Sequence, residues 1–204
     1  MPQQAEPHGR PAGAPLRRRG RELESAIFEA ALGRLTAAGY AGLTMEGIAA
    51  AAQTGKAALY RRWPSKEELV LDALRASLPP VGPAPDTGSL RADLVELLAR
   101  MRAVMLSEPG AAVRAIIGEA DRERACAFLE LVLARVVDPT VRAIAEILGR
   151  GVARGEVRPG AVTPLVADVA PALLLYRVKL GRGAFCEADA EAVVDEVLLP
   201  IVRP

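Results

Sequence analysis

A chain of 204 residues and 21.5 kDa has room for one ordinary domain or two small ones, and for a real hydrophobic core. Apolar residues at 51% and charged residues at 25% exclude wholesale disorder, and aromatic residues at 3% count against a β-rich or aromatic-lined fold. The formal net charge of +1 hides an asymmetry: residues 1–66 hold ten Lys and Arg against five Asp and Glu, and the rest of the chain holds 16 against 20. Positive charge therefore gathers at the N-terminal end.

The single histidine, His8, lies in a Pro/Gly-rich tail with no core around it. That removes His-based nucleophilic triads and His-based zinc sites, which need an imidazole fixed by other groups. Cys126 and Cys186 have neither metal-ligand spacing nor the look of a disulfide framework, so a reducing, cytoplasmic compartment is expected. No apolar run approaches the roughly 20 residues of a membrane span, and no secretory signal is expected. No cofactor and no metal site are expected, and the chain does not read as an enzyme.

In chain order, residues 1–18 read as a flexible basic tail. Leu23, Ile27, Ala31 and Leu35, widened by Phe28 and Leu32, mark an amphipathic helix ending at Gly39. Thr44 is a plausible N-cap for a two-turn helix carrying Met45, Ile48, Ala49 and Ala52. Gln53-Thr54-Gly55 interrupts it before a third helix from Lys56 to about Arg62, which Pro64 terminates. Ser65 and Glu68 form a capping box for a fourth helix. The proline-rich residues 79–88 are expected to form a domain boundary or a stiff joint. Further helices are expected at Leu90–Leu106 and at about 111–120, 121–137, 141–154, 163–180 and 188–202, with breaks at Pro109, Asp138-Pro139, Arg158-Pro159-Gly160 and Gly181-Arg182-Gly183. The expected fold is all-α, with some nine or ten helices.

Residues 44–63 have the layout of a helix-turn-helix: a first helix that packs on the second, a tight turn, and a second helix with one face free for a major groove about 12 Å wide. Leu59 and Trp63, four apart, fall on the buried face, and Lys56, Ala57, Tyr60 and Arg61 on others. Periodicity alone also fits a short helical hairpin in any α-protein.

The run from Ile27 to Lys66 resembles the N-terminal DNA-binding domain of the tetracycline-repressor (TetR) family, above all at Gly39-Tyr40, at Thr44 with Ile48-Ala49, and in Leu59-Tyr-Arg-Arg-Trp-Pro-Ser-Lys66. The resemblance covers roughly residues 20–75. It implies an N-terminal helix-turn-helix domain over 19–78 and a C-terminal helical domain over 89–204 that dimerises and takes a small ligand. It implies phosphate contacts from Thr44, Tyr60 and Lys66, and a place for Lys56 at the groove edge, facing a base or a phosphate. Thr54, Gly55, Ala57 and Ala58 would line the front of the recognition helix. The family usually has Gly where this chain has Gln53, so a strain of roughly 1 to 2 kcal/mol or an altered turn is expected there. Gly55 and the two alanines leave few groups for base edges, which shifts weight to thymine methyls and to DNA shape.

Arg19 and Arg21, with Arg17 and Arg18, read either as a solvated tail or as an arm laid on DNA. Arg61 and Arg62 stay open: one can face bases and the other the backbone. The apolar stripes near 163–180 and 188–202 read as dimerisation helices, with ordinary core as the alternative. Leu97, Met101, Met105, Phe128, Leu131 and Tyr176 are the expected walls of a ligand pocket, or else simply core. Together these readings describe a homodimeric, ligand-responsive repressor on a palindromic double-stranded operator, with no membrane contact. The competing reading is a helical small-molecule-binding or scaffold protein that does not bind an operator.

Overall fold

The computed structural model describes residues 20–119, 122–179 and 186–204, which carry helices and no strand. The expected arm residue Arg19 and the expected break at 181–183 lie outside the described residues.

Four helices form the N-terminal part: α1 (Arg21–Gly42), α2 (Met45–Ala51), α3 (Lys56–Tyr60) and α4 (Lys66–Ser77). The predicted stripe of α1 is its buried face, with Ile27, Phe28, Ala31, Leu32 and Leu35 all in the core. Gly39 breaks α1 as expected, at φ 69 and ψ 173, but three further residues turn helically before Leu43 leaves in extended backbone. The Thr44 hydroxyl accepts the Gly47 N–H at 3.1 Å and caps α2. The Ser65 hydroxyl does the same for α4, accepting the Glu68 N–H at 3.2 Å. Each cap satisfies a backbone donor that the first helical turn would otherwise leave bare.

Residues 78–89 are irregular, with Gly82 and Gly88 at φ 86 and 85. They are docked on the helical body. Val81 and Pro85 are buried, Arg100 donates to the Pro83 carbonyl at 2.9 Å, and Arg150 donates to that of Pro85. The fully buried Asp93 carboxylate accepts both the N–H and the hydroxyl of Thr87, at 2.6 and 2.7 Å, through Oδ1. Arg154 Nη2 stands 3.8 Å from its other oxygen.

The remainder is a helical body of α5 (Leu90–Leu106), α6 (Glu108–Glu119), α7 (Arg122–Val132), α8 (Asp138–Ala153), α9 (Pro164–Lys179), α10 (Glu187–Ala192) and α11 (Leu199–Val202). The expected break at Pro109 falls two residues early: α5 stops at Leu106, Ser107 is extended, and Pro109 sits inside the first turn of α6, where its missing N–H costs nothing. The expected break at Asp138-Pro139 is absent. A π-helical turn, Leu133–Val137, carries α7 straight into α8, and a second, Val193–Leu198, carries α10 into α11. Each ends just ahead of a proline at the second position of the next α-segment, Pro139 and Pro200. The prolines would press on the carbonyls four residues back, Arg135 and Glu196, and the wider turn relieves that clash. The buried Thr140 hydroxyl donates to the Val136 carbonyl at 2.6 Å, which binds the first π-turn to α8.

The two parts share contacts. α1 packs against α6 more extensively than against α2 or α4. Tyr40 stands edge-on to Phe128 of α7, with ring centroids 5.7 Å apart, and Arg135 of the first π-turn donates to the Arg75 carbonyl near the end of α4 at 2.6 Å.

Candidate nucleic-acid interface

The turn between α2 and α3 is closed by two backbone bonds, Gln53 N–H to the Ala50 carbonyl at 3.1 Å and Thr54 N–H to the Ala49 carbonyl at 2.9 Å. This is a Schellman ending, whose residue past the C-cap needs a left-handed backbone. Gln53 occupies it at φ 54 and is the one non-glycine residue with positive φ among the described residues. The turn therefore keeps its geometry and accepts the strain, the first of the two outcomes expected at Gln53.

Gly55 caps α3 from an ordinary extended conformation, φ −80 and ψ 137, with open space where a Cβ would stand. α3 is five residues long. Leu59 is fully buried and Trp63, just beyond the helix, is 3% exposed. The Trp63 ring meets Phe28 edge to face at 5.7 Å and its Nε1 donates to Asp72 Oδ2 at 3.1 Å, so α1 and α4 both hold it. With that side anchored, Lys56, Ala57, Tyr60 and Arg61 are exposed and Thr54 and Ala58 half-buried. Tyr60 keeps 45% of its surface.

The adjacent arginines differ in their packing. Arg62 folds back, its Nη2 2.9 Å from Glu24 Oε1 on α1 and its guanidinium 4.9 Å over the Trp63 ring. Arg61 is exposed and makes no ion pair among the described residues. Arg21 opens α1 on the exposed surface.

Two residues that the sequence reading did not single out belong to this surface. Glu46 of α2 pairs with Lys56 across the turn, and the Lys56 ammonium lies 5.6 Å from the centre of the Tyr60 ring. That hydrogen-bonded pairing holds the Glu46 carboxyl below its ordinary range and raises Lys56. Arg34 of α1 reaches over Gly47: a Cβ there would stand 2.9 Å from Arg34 Nε and 3.1 Å from Thr44 Oγ1. The bare glycine thus lets a guanidinium lie beside the capping hydroxyl of α2. Residues ten or more apart on different helices leave no periodic trace, although Gly inside so short a helix is itself a hint of close approach.

Lys66, for which the resemblance implied a phosphate contact, is engaged within the protein. Its ammonium donates to the carbonyls of Tyr40 at 2.8 Å and Leu43 at 2.9 Å and stands 4.6 Å from the Tyr40 ring centre. The positive charge is drawn to the carbonyl-rich end of α1, which favours a cation.

Of the expected ligand-pocket residues, Leu97, Met101, Met105, Phe128 and Leu131 are buried together in the core cluster. Tyr176 is 51% exposed on the outer side of α9 and does not join them. A cleft of about 260 Å³ lies elsewhere, between Leu90, Arg91 and Glu156 on one side and Leu199 and Arg203 on the other, with none of the expected pocket residues in its wall.

A short helix anchored on one face and polar on the other, set by a tight turn against a capped partner helix and carried on an all-helical body, defines a helix-turn-helix DNA-binding regulator. Residues 27–73 match the family described as bacterial regulatory proteins, tetR family, and residues 84–197 match the tetracyclin repressor-like, C-terminal domain. The uncharacterized HTH-type transcriptional regulator Mb1581 of Mycobacterium bovis is 33% identical over 180 residues, spanning 87% of this chain and 86% of that protein. The DNA-binding transcriptional repressor TetR of Mycobacteroides abscessus is 32% identical over 189 residues, or 91% and 97% of the two chains. Among solved structures, a TetR transcriptional regulator from Chloroflexus aurantiacus matches with a TM-score of 0.66 at 23% identity, covering 90% of this chain and 97% of the other, which speaks for the fold. The chain belongs to the TetR family. It is a DNA-binding transcriptional regulator, and the scaffold reading is set aside.

Proposed function

We propose that this regulator is a homodimeric, ligand-responsive repressor, cytoplasmic, with residues 19–78 as its DNA-reading part and 89–204 as its regulatory and dimerising part. Each protomer lays α3 in the major groove of one half of a palindromic operator, half-sites being one turn of about 34 to 36 Å apart or a little more. The observation that carries this is the division of α3 and its flank: Leu59 and Trp63 are sunk in the core while Lys56, Tyr60 and Arg61 face outward. Thr44, Tyr60 and Arg61 take backbone phosphates or the groove edge, and Arg34 adds a cation beside Thr44. Gly55, Ala57 and Ala58 offer little hydrogen bonding, so shape and thymine methyls carry much of the discrimination. That the Mycobacteroides abscessus relative is described as a repressor supports the sign of regulation.

Dimerisation is supported by α9, where Leu165 at 77% exposure, Ala172 and Tyr176 are exposed and, with the half-buried Val169 and Leu173 between them, form an apolar stripe at helical spacing. Ile201 of α11 is exposed as well. Sensitivity to a small apolar effector is supported by the edge contact between Phe128 and Tyr40. A guest that displaces Phe128 disturbs the end of α1, and its differential affinity for the two states sets the extent of induction.

The test is fluorescence anisotropy of the full chain with a duplex from its own upstream region. Tight, salt-sensitive binding, weakened alike on all sequences by Tyr60→Ala, is expected. No binding in dilute salt overturns the reading. Leu165→Glu is expected to give monomers by size-exclusion chromatography with light scattering.

A further inference from the structure

We infer that Glu46 is an intramolecular substitute for a DNA phosphate: it holds the Lys56 ammonium in the free protein and thereby lowers the affinity of this regulator for every duplex. The inference rests on the operator-binding reading above and adds to it a residue that sets the strength of binding.

Glu46 stands in the first turn of α2, two residues after the Thr44 cap, and Lys56 is the first residue of α3. Their side chains are 55% and 56% exposed and meet in an ion pair that spans the turn of the helix-turn-helix. Lys56 also leans on Tyr60, the residue expected at a phosphate. The carboxylate thus occupies the anion position that Lys56 offers, on the surface that has to receive a polyanion. When a duplex arrives, two arrangements are open. If the pair persists, the DNA meets a neutral couple and gains nothing from Lys56. If Lys56 transfers to a phosphate, a bare carboxylate is left facing the backbone. Both make binding weaker than it would be with an uncharged residue at position 46. An acid in the first turn of a helix has an alternative, merely structural use, since it complements the positive end of the helix dipole. The two roles separate experimentally, because the structural one moves stability and leaves the dependence on salt untouched.

The experiment is an anisotropy titration of the full chain with its upstream duplex and with a scrambled duplex of equal length, between about 50 and 200 mM salt. Wild type is compared with E46Q, E46A, K56A and E46Q/K56A. E46A guards against a glutamine amide that still holds Lys56. E46Q and E46A are expected to bind both duplexes about three- to tenfold more tightly at the low-salt end, with a logarithmic salt slope steeper by about 0.9, the value of one additional phosphate contact. In the K56A background the gain is expected to fall to less than about half, because Glu46 acts through Lys56. Equal or weaker binding by both position-46 variants with unchanged melting curves overturns the inference, as does an undiminished gain without Lys56. Wild-type protein that ignores both duplexes overturns the operator reading, and this inference with it. Binding by wild type without the gain overturns this inference alone.

Discussion

The Lys66 ammonium, at the first residue of α4, is hydrogen-bonded to the Tyr40 carbonyl at 2.8 Å and lies 4.6 Å from the centre of the same residue's ring. With its second bond to Leu43, it ties the start of α4 to the turn that launches α2. Replacing Lys66 by Ala removes two charge-assisted bonds and is expected to cost about 2 kcal/mol in chemical denaturation. The salt dependence of DNA binding is expected to stay unchanged. A lysine whose main work is at a phosphate would instead lower the slope by about 0.9.

Gln53→Gly is expected to stabilise the protein by about 0.5 to 1 kcal/mol. Glycine relieves the left-handed backbone at φ 54, while its greater freedom in the unfolded chain returns part of the gain. Urea denaturation followed by circular dichroism measures it, and a loss of stability would mean that the Gln53 side chain does something in the turn that its backbone does not reveal.

Trp63 is the single tryptophan of the chain. Trp63→Phe keeps most of the ring packing on Phe28 but removes the indole donor to Asp72 Oδ2, leaving Arg75 on the other oxygen, and an expected loss of about 1 kcal/mol follows. Trp63→Ala empties a core position and is expected to cost about 3 to 5 kcal/mol. Thermal melts by circular dichroism rank the two.

At Gly47 an added methyl lands on the Arg34 guanidinium, the movable end of a long side chain, and crowds the Thr44 hydroxyl at 3.1 Å, so the cation swings away, the cap gives by a few tenths of an ångström and the fold survives. Gly47→Ala is expected to weaken DNA binding severalfold on operator and scrambled duplex alike, with a shallower salt slope and little change in melting temperature. Retained affinity would assign Arg34 to packing only.

Asp189 accepts the backbone N–H of Cys186 at 2.8 Å and also meets the Cys186 thiol and Arg177, and these partners, the backbone bond foremost, hold its carboxyl below the usual aspartate range. A carboxyl lowered in the folded state contributes stability above its unfolded pKa and loses it as pH falls through the folded value. Wild type is therefore expected to melt above Asp189→Asn at neutral pH, the two converging below about pH 4. A gap that persists in acid would place the effect in packing.

Much of this molecule was legible in its residues where the physics is local. The buried stripe of α1, the caps at Thr44 and Ser65 and the anchoring of Leu59 and Trp63 each follow from spacing within a few residues, whereas the strain at Gln53 came from the resemblance to the family. What was misread depends on neighbours far along the chain or on a softer rule than expected. Asp138-Pro139 looked like a stop because a proline clashes with a regular α-turn, and nothing in the string announces the widened turn that absorbs it. The resemblance implied a phosphate contact for Lys66 and Arg62 stayed open; in the free protein carbonyls 23 and 26 positions away hold the first, and Glu24 and the Trp63 ring hold the second. Tyr176 shared a helix with core residues and differed only in azimuth.

The broad seam between α1 and α6, with Arg135 clasping the far end of α4, means that the reading head is not a bead on a string. Cut free at the proline joint, it would bare the flank of α1 that now rests on α6. A chimera grafting this head onto a relative's body would have to bring α6 along, and swapping operator preference between cousins is therefore better done by trading the few outward residues of α3 than by shuffling modules.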